Sequence, residues 1–128
     1  MSLLTPAGAA LVELMGEMPR GPKREGIFAL WLTLRVAEDV FLVPPPPERA
    51  MRRRVATLEQ RLSSLSLPAP LRRALAAALS ELEDPRREAA ALVLQQLVAP
   101  AREVLGVEAG DAIGKAARAA TQRAREAS

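Results

Sequence analysis

Apolar residues recur along most of this chain at spacings of three and four, and prolines interrupt the pattern. Such spacing places apolar side chains on one face of an α-helix, and proline either ends a helix or occupies its first position. The first predicted helix opens at Thr5-Pro6, with Thr5 as its N-cap. Its apolar residues form one stripe: Ala7, Leu11, Leu14 and Met18.

The second predicted helix, from about Lys23 to Val43, is apolar on almost every side. A helix of this kind is typical of the centre of a bundle or of a surface that a partner chain covers. The prolines at 44–47 must end it, and they predict a stiff connector, with a docking motif for a proline-binding module as the alternative. Its polar strip is narrow: Thr33, Arg35, Glu38 and Asp39.

Three more helices are predicted between the remaining prolines. The third begins near Glu48 and carries a heptad seam: Met51, Val55, Leu58, Leu62 and Leu65. The fourth has its own apolar seam, so these two helices are expected to form an antiparallel hairpin: Leu71, Leu75, Ala78 and Leu82. Asp84-Pro85 is expected to open a fifth helix, which Pro100 should kink or split and which Gly106 should cap.

The last predicted helix runs from about Glu108 to Arg125 and is rich in alanine. Its only large apolar residues are Val107 and Ile113, so we expect it to bury little area and to fray or await a partner. The predicted organisation is a helical bundle domain over 1–106 and a loosely packed, basic C-terminal helix over 107–128. The predicted fold class is all-α, a compact bundle of five or six helices.

The composition removes most catalytic chemistry. The chain has no Cys, no His and no Tyr, so disulfides, thiolate nucleophiles, imidazole bases and most transition-metal sites are excluded. We therefore expect no enzyme, no cofactor, no metal site and no small-molecule substrate. The N-terminus lacks a basic start, and charges interrupt the most apolar stretch. These features predict a cytoplasmic protein without a membrane partner.

Glu38 and Asp39 are the only carboxylates within the most apolar stretch. Two adjacent carboxylates can act as acid and base when the pKa of one is raised. Arg35 precedes them by three and four residues, and this spacing favours an ordinary ion pair along the helix. We expect the ion pair.

The excess of apolar helix surface predicts a non-enzymatic interaction protein, such as a small subunit, adaptor or assembly factor. Self-association as a homodimer is the simplest way to cover such a surface. Aromatic side chains dominate the energy of protein contacts, so Phe28, Trp31 and Phe41 are the predicted interface residues. Packing inside the monomer is the alternative for all three.

A nucleic-acid-binding subunit is the alternative function. Nearly all of the 18 basic residues are arginines, and the net charge is +3. Arg49, Arg52 and Arg53 share a face where the third helix starts, and Arg118 and Arg125 lie on a basic face of the last helix. Both sets could contact phosphates, although a solvated helix face explains them too. No aromatic residue is adjacent to a basic cluster in the sequence, which argues against base stacking.

Overall fold

In the computed structural model, residues 5–126 are described, and they form six α-helices and no strand. The predicted all-α bundle is confirmed. The bounds of the helices are α1 Thr5–Glu17, α2 Pro22–Asp39, α3 Glu48–Ser63, α4 Ala69–Leu82, α5 Arg87–Leu105 and α6 Val107–Glu126. Proline stands in the first turn of α2 and of α4, as expected from its fixed φ and missing N–H. The side chain of Thr5, the predicted N-cap, lies outside the described part of the structure.

Helix α2 lies at the centre of the bundle and contacts each of the other helices. Its largest buried side chains are Ile27, Leu30 and Leu34. The helix ends at Asp39, earlier than the predicted end at Val43, because the chain tightens into a turn before the proline run. In this turn, the N–H of Val40 and that of Phe41 donate to carbonyls three residues back, at 3.2 and 3.0 Å.

The seams of α3 and α4 are buried as predicted, and the two helices contact each other. Leu65, the last residue of the α3 seam, is half-buried beyond the end of the helix and packs against the core. No helix among residues 5–126 combines the length and the hydropathy that a bilayer-spanning segment needs.

Helix α5 begins later than predicted, with Arg86 rather than Asp84 as its N-cap. The Asp84 carboxylate accepts a hydrogen bond from the Arg86 backbone N–H at 3.1 Å and pairs with the Arg86 guanidinium at 2.7 Å. Asp84 therefore closes a turn before the helix instead of capping it. The helix continues through Pro100 without splitting. The predicted cap at Gly106 is confirmed, with a φ of 107° and its N–H bonded to the Arg102 carbonyl.

Helix α6 differs from the expectation that it would bury little. It packs along α5 and also contacts α1 and α2. Small side chains form this contact, because alanine and glycine let two helix backbones approach closely. The buried residues of α6 are Ala109, Gly110, Ala112, Ile113, Gly114, Ala116, Ala117, Ala120 and Ala124. The division of the chain into domains at residue 106 stays a prediction.

Candidate functional site

A groove with a volume of about 600 Å³ lies between α2 and α3, and four of its lining residues are arginines. We call it the arginine groove. Helix α2 lines one wall with Trp31, Leu32, Arg35, Val36 and Asp39. Helix α3 lines the other wall with Arg53, Arg54, Thr57, Leu58 and Arg61.

Helical periodicity brings these residues to the same two walls. On α3, Arg54 and Arg61 are separated by two turns and flank Leu58, whose side chain is buried in the core. On α2, Trp31 and Arg35 are one turn apart and lie on the same face. The floor of the groove is thus anchored in the hydrophobic core while its rim carries charge.

Two arginines of the groove each lie over an aromatic ring of α2. The Arg35 guanidinium lies over the Trp31 ring, with 5.2 Å between Cζ and the ring centroid. Arg61 covers Phe28 at 5.8 Å, and the Phe28 and Trp31 rings stack with centroids 6.0 Å apart. Packing of α3 against α2 thus brings Arg61 to an aromatic ring that is distant from it in the sequence.

Asp39 is the one carboxylate that lines the groove, and its partner is Arg54 of α3. Asp39 Oδ2 lies 3.2 Å from Arg54 Nη1, and both side chains are partly exposed. The expected ion pair with Arg35 is not formed, because the Arg35 guanidinium is turned onto Trp31. Arg54 therefore neutralises Asp39, and three further guanidiniums in the groove have no acidic partner among the described ion pairs.

The carboxylates proposed for catalysis do not converge on a common site. Asp39 faces the arginine groove, whereas Glu38 lines a smaller cavity beside α1. Within residues 5–126, no group of three acidic side chains is placed to hold a metal ion.

The three aromatic residues predicted at an interface are all half-buried and pack against the core. Trp31 lines the arginine groove, and Phe28 adjoins it through its stack on Trp31. Phe41 lies apart from the groove lining, and Arg87 at the start of α5 covers its ring at 5.6 Å. Core packing thus accounts for part of each side chain, and Trp31 also lines both the arginine groove and the smaller cavity beside α1.

The five arginines predicted to bind nucleic acid lie on two different helices. Arg49, Arg52 and Arg53 are exposed at the start of α3, whereas Arg118 and Arg125 are exposed on α6. These two helices do not contact each other. Arg52 lies 3.9 Å from Glu48 in a weak pair along the helix, and Arg53 lines the groove.

Sequence reasoning missed Arg54 and Arg61 as site residues and gave Arg35 a different role. One signal was present, because Arg54 and Arg61 are separated by two turns beside the seam of α3. This pattern predicts a basic row along the edge of a packed face, but it does not say which helix lies opposite.

In comparisons with protein-family models, curated proteins and solved structures, nothing matches this chain significantly. A function for the chain is therefore inferred from the arginine groove itself.

Proposed function

We propose that this protein is a non-enzymatic interaction protein that binds an acidic, amphipathic segment of a protein partner in the arginine groove. The observation that carries this proposal is that four arginines, one paired carboxylate and the Trp31 ring line the same groove. A groove between two helices accommodates a third helix, whose apolar side chains occupy the floor.

The chemistry of the groove favours such a segment. Trp31, Leu32, Val36 and Leu58 supply an apolar floor, and aromatic anchors in a pocket provide much of the energy of protein contacts. Arg35, Arg53 and Arg61 have no acidic partner among the described ion pairs, and their guanidiniums supply donors in a planar fork that matches carboxylates. An acidic helix would satisfy both parts of the groove together.

Nucleic acid is the other polyanion that arginines bind, and the distribution of charge favours it less. Phosphate contacts along a duplex need a basic surface that follows the backbone. Here the five arginines predicted to bind nucleic acid are divided between α3 and α6, which do not contact each other. The groove also places the Asp39 carboxylate among its arginines.

The test uses two synthetic helical peptides and a short DNA duplex. One peptide carries leucines on one face and glutamates on the adjoining face, and the other has lysine in place of each glutamate. Because Trp31 is the only tryptophan, its emission reports occupancy of the groove directly. We expect the acidic peptide to change this emission, and the lysine peptide and the duplex to leave it unchanged.

The variant Arg35→Glu/Arg61→Glu should weaken binding of the acidic peptide at least about tenfold, equivalent to about 1.4 kcal/mol. The matched control Arg73→Glu/Lys115→Glu changes the net charge equally at exposed positions on α4 and α6, and it should bind like the wild type. If both variants weakened peptide binding equally, the loss would be due to net charge and not to the arginine groove. Salt-sensitive binding of the duplex without peptide binding would support the nucleic-acid function instead.

A further inference from the structure

We infer that the acidic helix bound in the arginine groove is α1 of a second copy of this chain, so that two copies form a symmetric dimer. This inference rests on the proposed function and names the partner of the same groove. Helix α1 supplies the required chemistry, its position beside the groove allows a closed dimer, and no residue in it opposes the charge of the groove.

The surface of α1 that faces solvent is acidic, and its other side chains are small or apolar. It consists of Ala9, Val12, Glu13, Gly16 and Glu17, which are all exposed, and we call it the α1 outer face. Val12 is 50% exposed, so it adds apolar contact area to this acidic face. Ala9 and Gly16 leave room for another helix to approach.

The charge of the α1 outer face is unbalanced within the monomer. Helix α1 carries Glu13 and Glu17 and no Lys or Arg. None of the ion pairs within residues 5–126 includes either carboxylate. The arginine groove has the opposite excess in Arg35, Arg53 and Arg61. The α1 outer face and the arginine groove are therefore complementary in charge, and each offers apolar contact area to the other.

The two surfaces are neighbours on one monomer. Ala9 and Val12 line a small cavity together with Trp31 and Arg35, and the last two also line the arginine groove. Helix α1 cannot enter its own groove, because its opposite face, with Ala7 and Leu11, is buried in the core. A twofold axis near Arg35 would place each α1 on the groove of the other copy, and both contacts would form in one closed interface.

The spacing of the charged residues along α1 and α3 is compatible with this pairing. Arg53 and Arg61, the arginines of α3 in the groove without an acidic partner, are eight residues apart, which corresponds to about 12 Å along the helix axis. Glu13 and Glu17 are four residues apart, which corresponds to about 6 Å. The acidic pair therefore fits within the length of the basic wall.

The test is a charge exchange in the full chain, measured by size-exclusion chromatography with light scattering. Glu13→Lys/Glu17→Lys makes the α1 outer face basic, and Arg35→Glu/Arg61→Glu makes the groove acidic. We expect the wild type to be dimeric at low salt and each variant alone to be monomeric. An equimolar mixture of the two variants should be dimeric again, because each helix then meets a groove of opposite charge.

A matched control shows whether charge or position causes the effect. Glu83→Lys/Glu103→Lys makes the same charge change at exposed positions outside α1 and should leave the dimer intact. Helical circular dichroism verifies that each variant folds. If Glu13→Lys/Glu17→Lys fails to fold, Glu13→Gln/Glu17→Gln replaces it and should weaken the dimer at low salt. A wild-type monomer at every salt concentration, or a mixture of variants that stays monomeric, would overturn the inference.

Failure of this inference is distinguishable from failure of the proposed function. The Glu13→Lys/Glu17→Lys variant keeps an intact groove that no second copy occupies, so it should bind the acidic leucine-glutamate peptide more tightly than the wild type does. If the wild type is monomeric and binds the peptide, the groove is a binding site for another protein and α1 of a second copy is not its occupant. Absence of both peptide binding and dimer would overturn both proposals.

Discussion

The guanidinium of Arg35 lies 5.2 Å from the centroid of the Trp31 ring, so the one tryptophan of the chain faces a cation in a groove rather than a purely apolar core. Sequence spacing suggests another partner for Arg35, since Glu38 and Asp39 follow it by three and four residues. In the structure, the Arg35 guanidinium lies over the Trp31 ring instead of pairing with either carboxylate, and Asp39 pairs with Arg54 of α3.

Removal of this cation should have a small and specific effect. Arg35→Ala is expected to lower the free energy of unfolding by about 0.5–1 kcal/mol, the usual strength of an exposed cation–π contact. Urea denaturation followed by Trp31 emission measures the change. Arg53→Ala is the matched control, because Arg53 lines the same groove without covering a ring. Equal losses in both variants would contradict a ring-specific contact.

Asp39 should be coupled to Arg54 and not to Arg35. In a double-mutant cycle, Asp39→Asn and Arg54→Met are expected to show a coupling energy of about 0.2–1 kcal/mol, typical of partly exposed ion pairs. The same cycle with Arg35→Met in place of Arg54→Met should show no coupling. High salt should reduce the first coupling by screening. A larger coupling energy between Asp39 and Arg35 would contradict the structure and support the ion pair along α2 that the sequence spacing predicts.

Gly110 should be intolerant of a side chain, whereas Gly114 on the same helix should accept one. A Cβ atom at position 110 would lie 2.7 Å from Arg102 Cβ and 3.0 Å from Arg102 Cα, so a backbone would have to move. We expect Gly110→Ala to destabilise the fold by about 1–3 kcal/mol, the usual range for overpacking.

The control for this prediction is Gly114→Ala, where the nearest atom is the flexible end of Arg118 at 3.5 Å. Alanine favours the helix by up to about 1 kcal/mol over glycine, so this variant should be neutral or stabilised. Chemical denaturation of the two variants side by side measures the contrast. A stabilised Gly110→Ala would show that α5 and α6 are farther apart than the structure has them.

Packing of α6 can be tested by enlarging one of its buried alanines. Ala120 is fully buried, so Ala120→Leu should overpack the contact and lower the free energy of unfolding by about 1–3 kcal/mol. Ala77→Leu, on the exposed face of α4, is the matched control and should change stability little. If α6 were loosely attached, the added leucine would be harmless or would increase stability by burying more apolar area.

The sequence alone determined the helices and their buried faces where the signal is local. The seam from Met51 to Leu62 is buried as its heptad spacing predicts, because periodicity follows directly from helix geometry. Gly106 caps α5 as predicted, because only glycine adopts its positive φ without strain. The start of α5 was harder to predict from the sequence. Asp84 can either cap a helix or close a turn, and in the structure it closes a turn before α5.

Only the tertiary structure decided which helices meet, and the candidate site depends on that choice. Arg61 covers Phe28, and Arg54 pairs with Asp39 because α3 packs beside α2 after the proline connector. No periodicity in either helix specifies this neighbour. The burial of α6 was likewise hidden, because an alanine face contributes little hydrophobic signal until a second backbone comes close enough to contact it. Local spacing thus predicts which face of a helix is buried. Which two helices pack together depends on contacts between residues that are distant in the sequence.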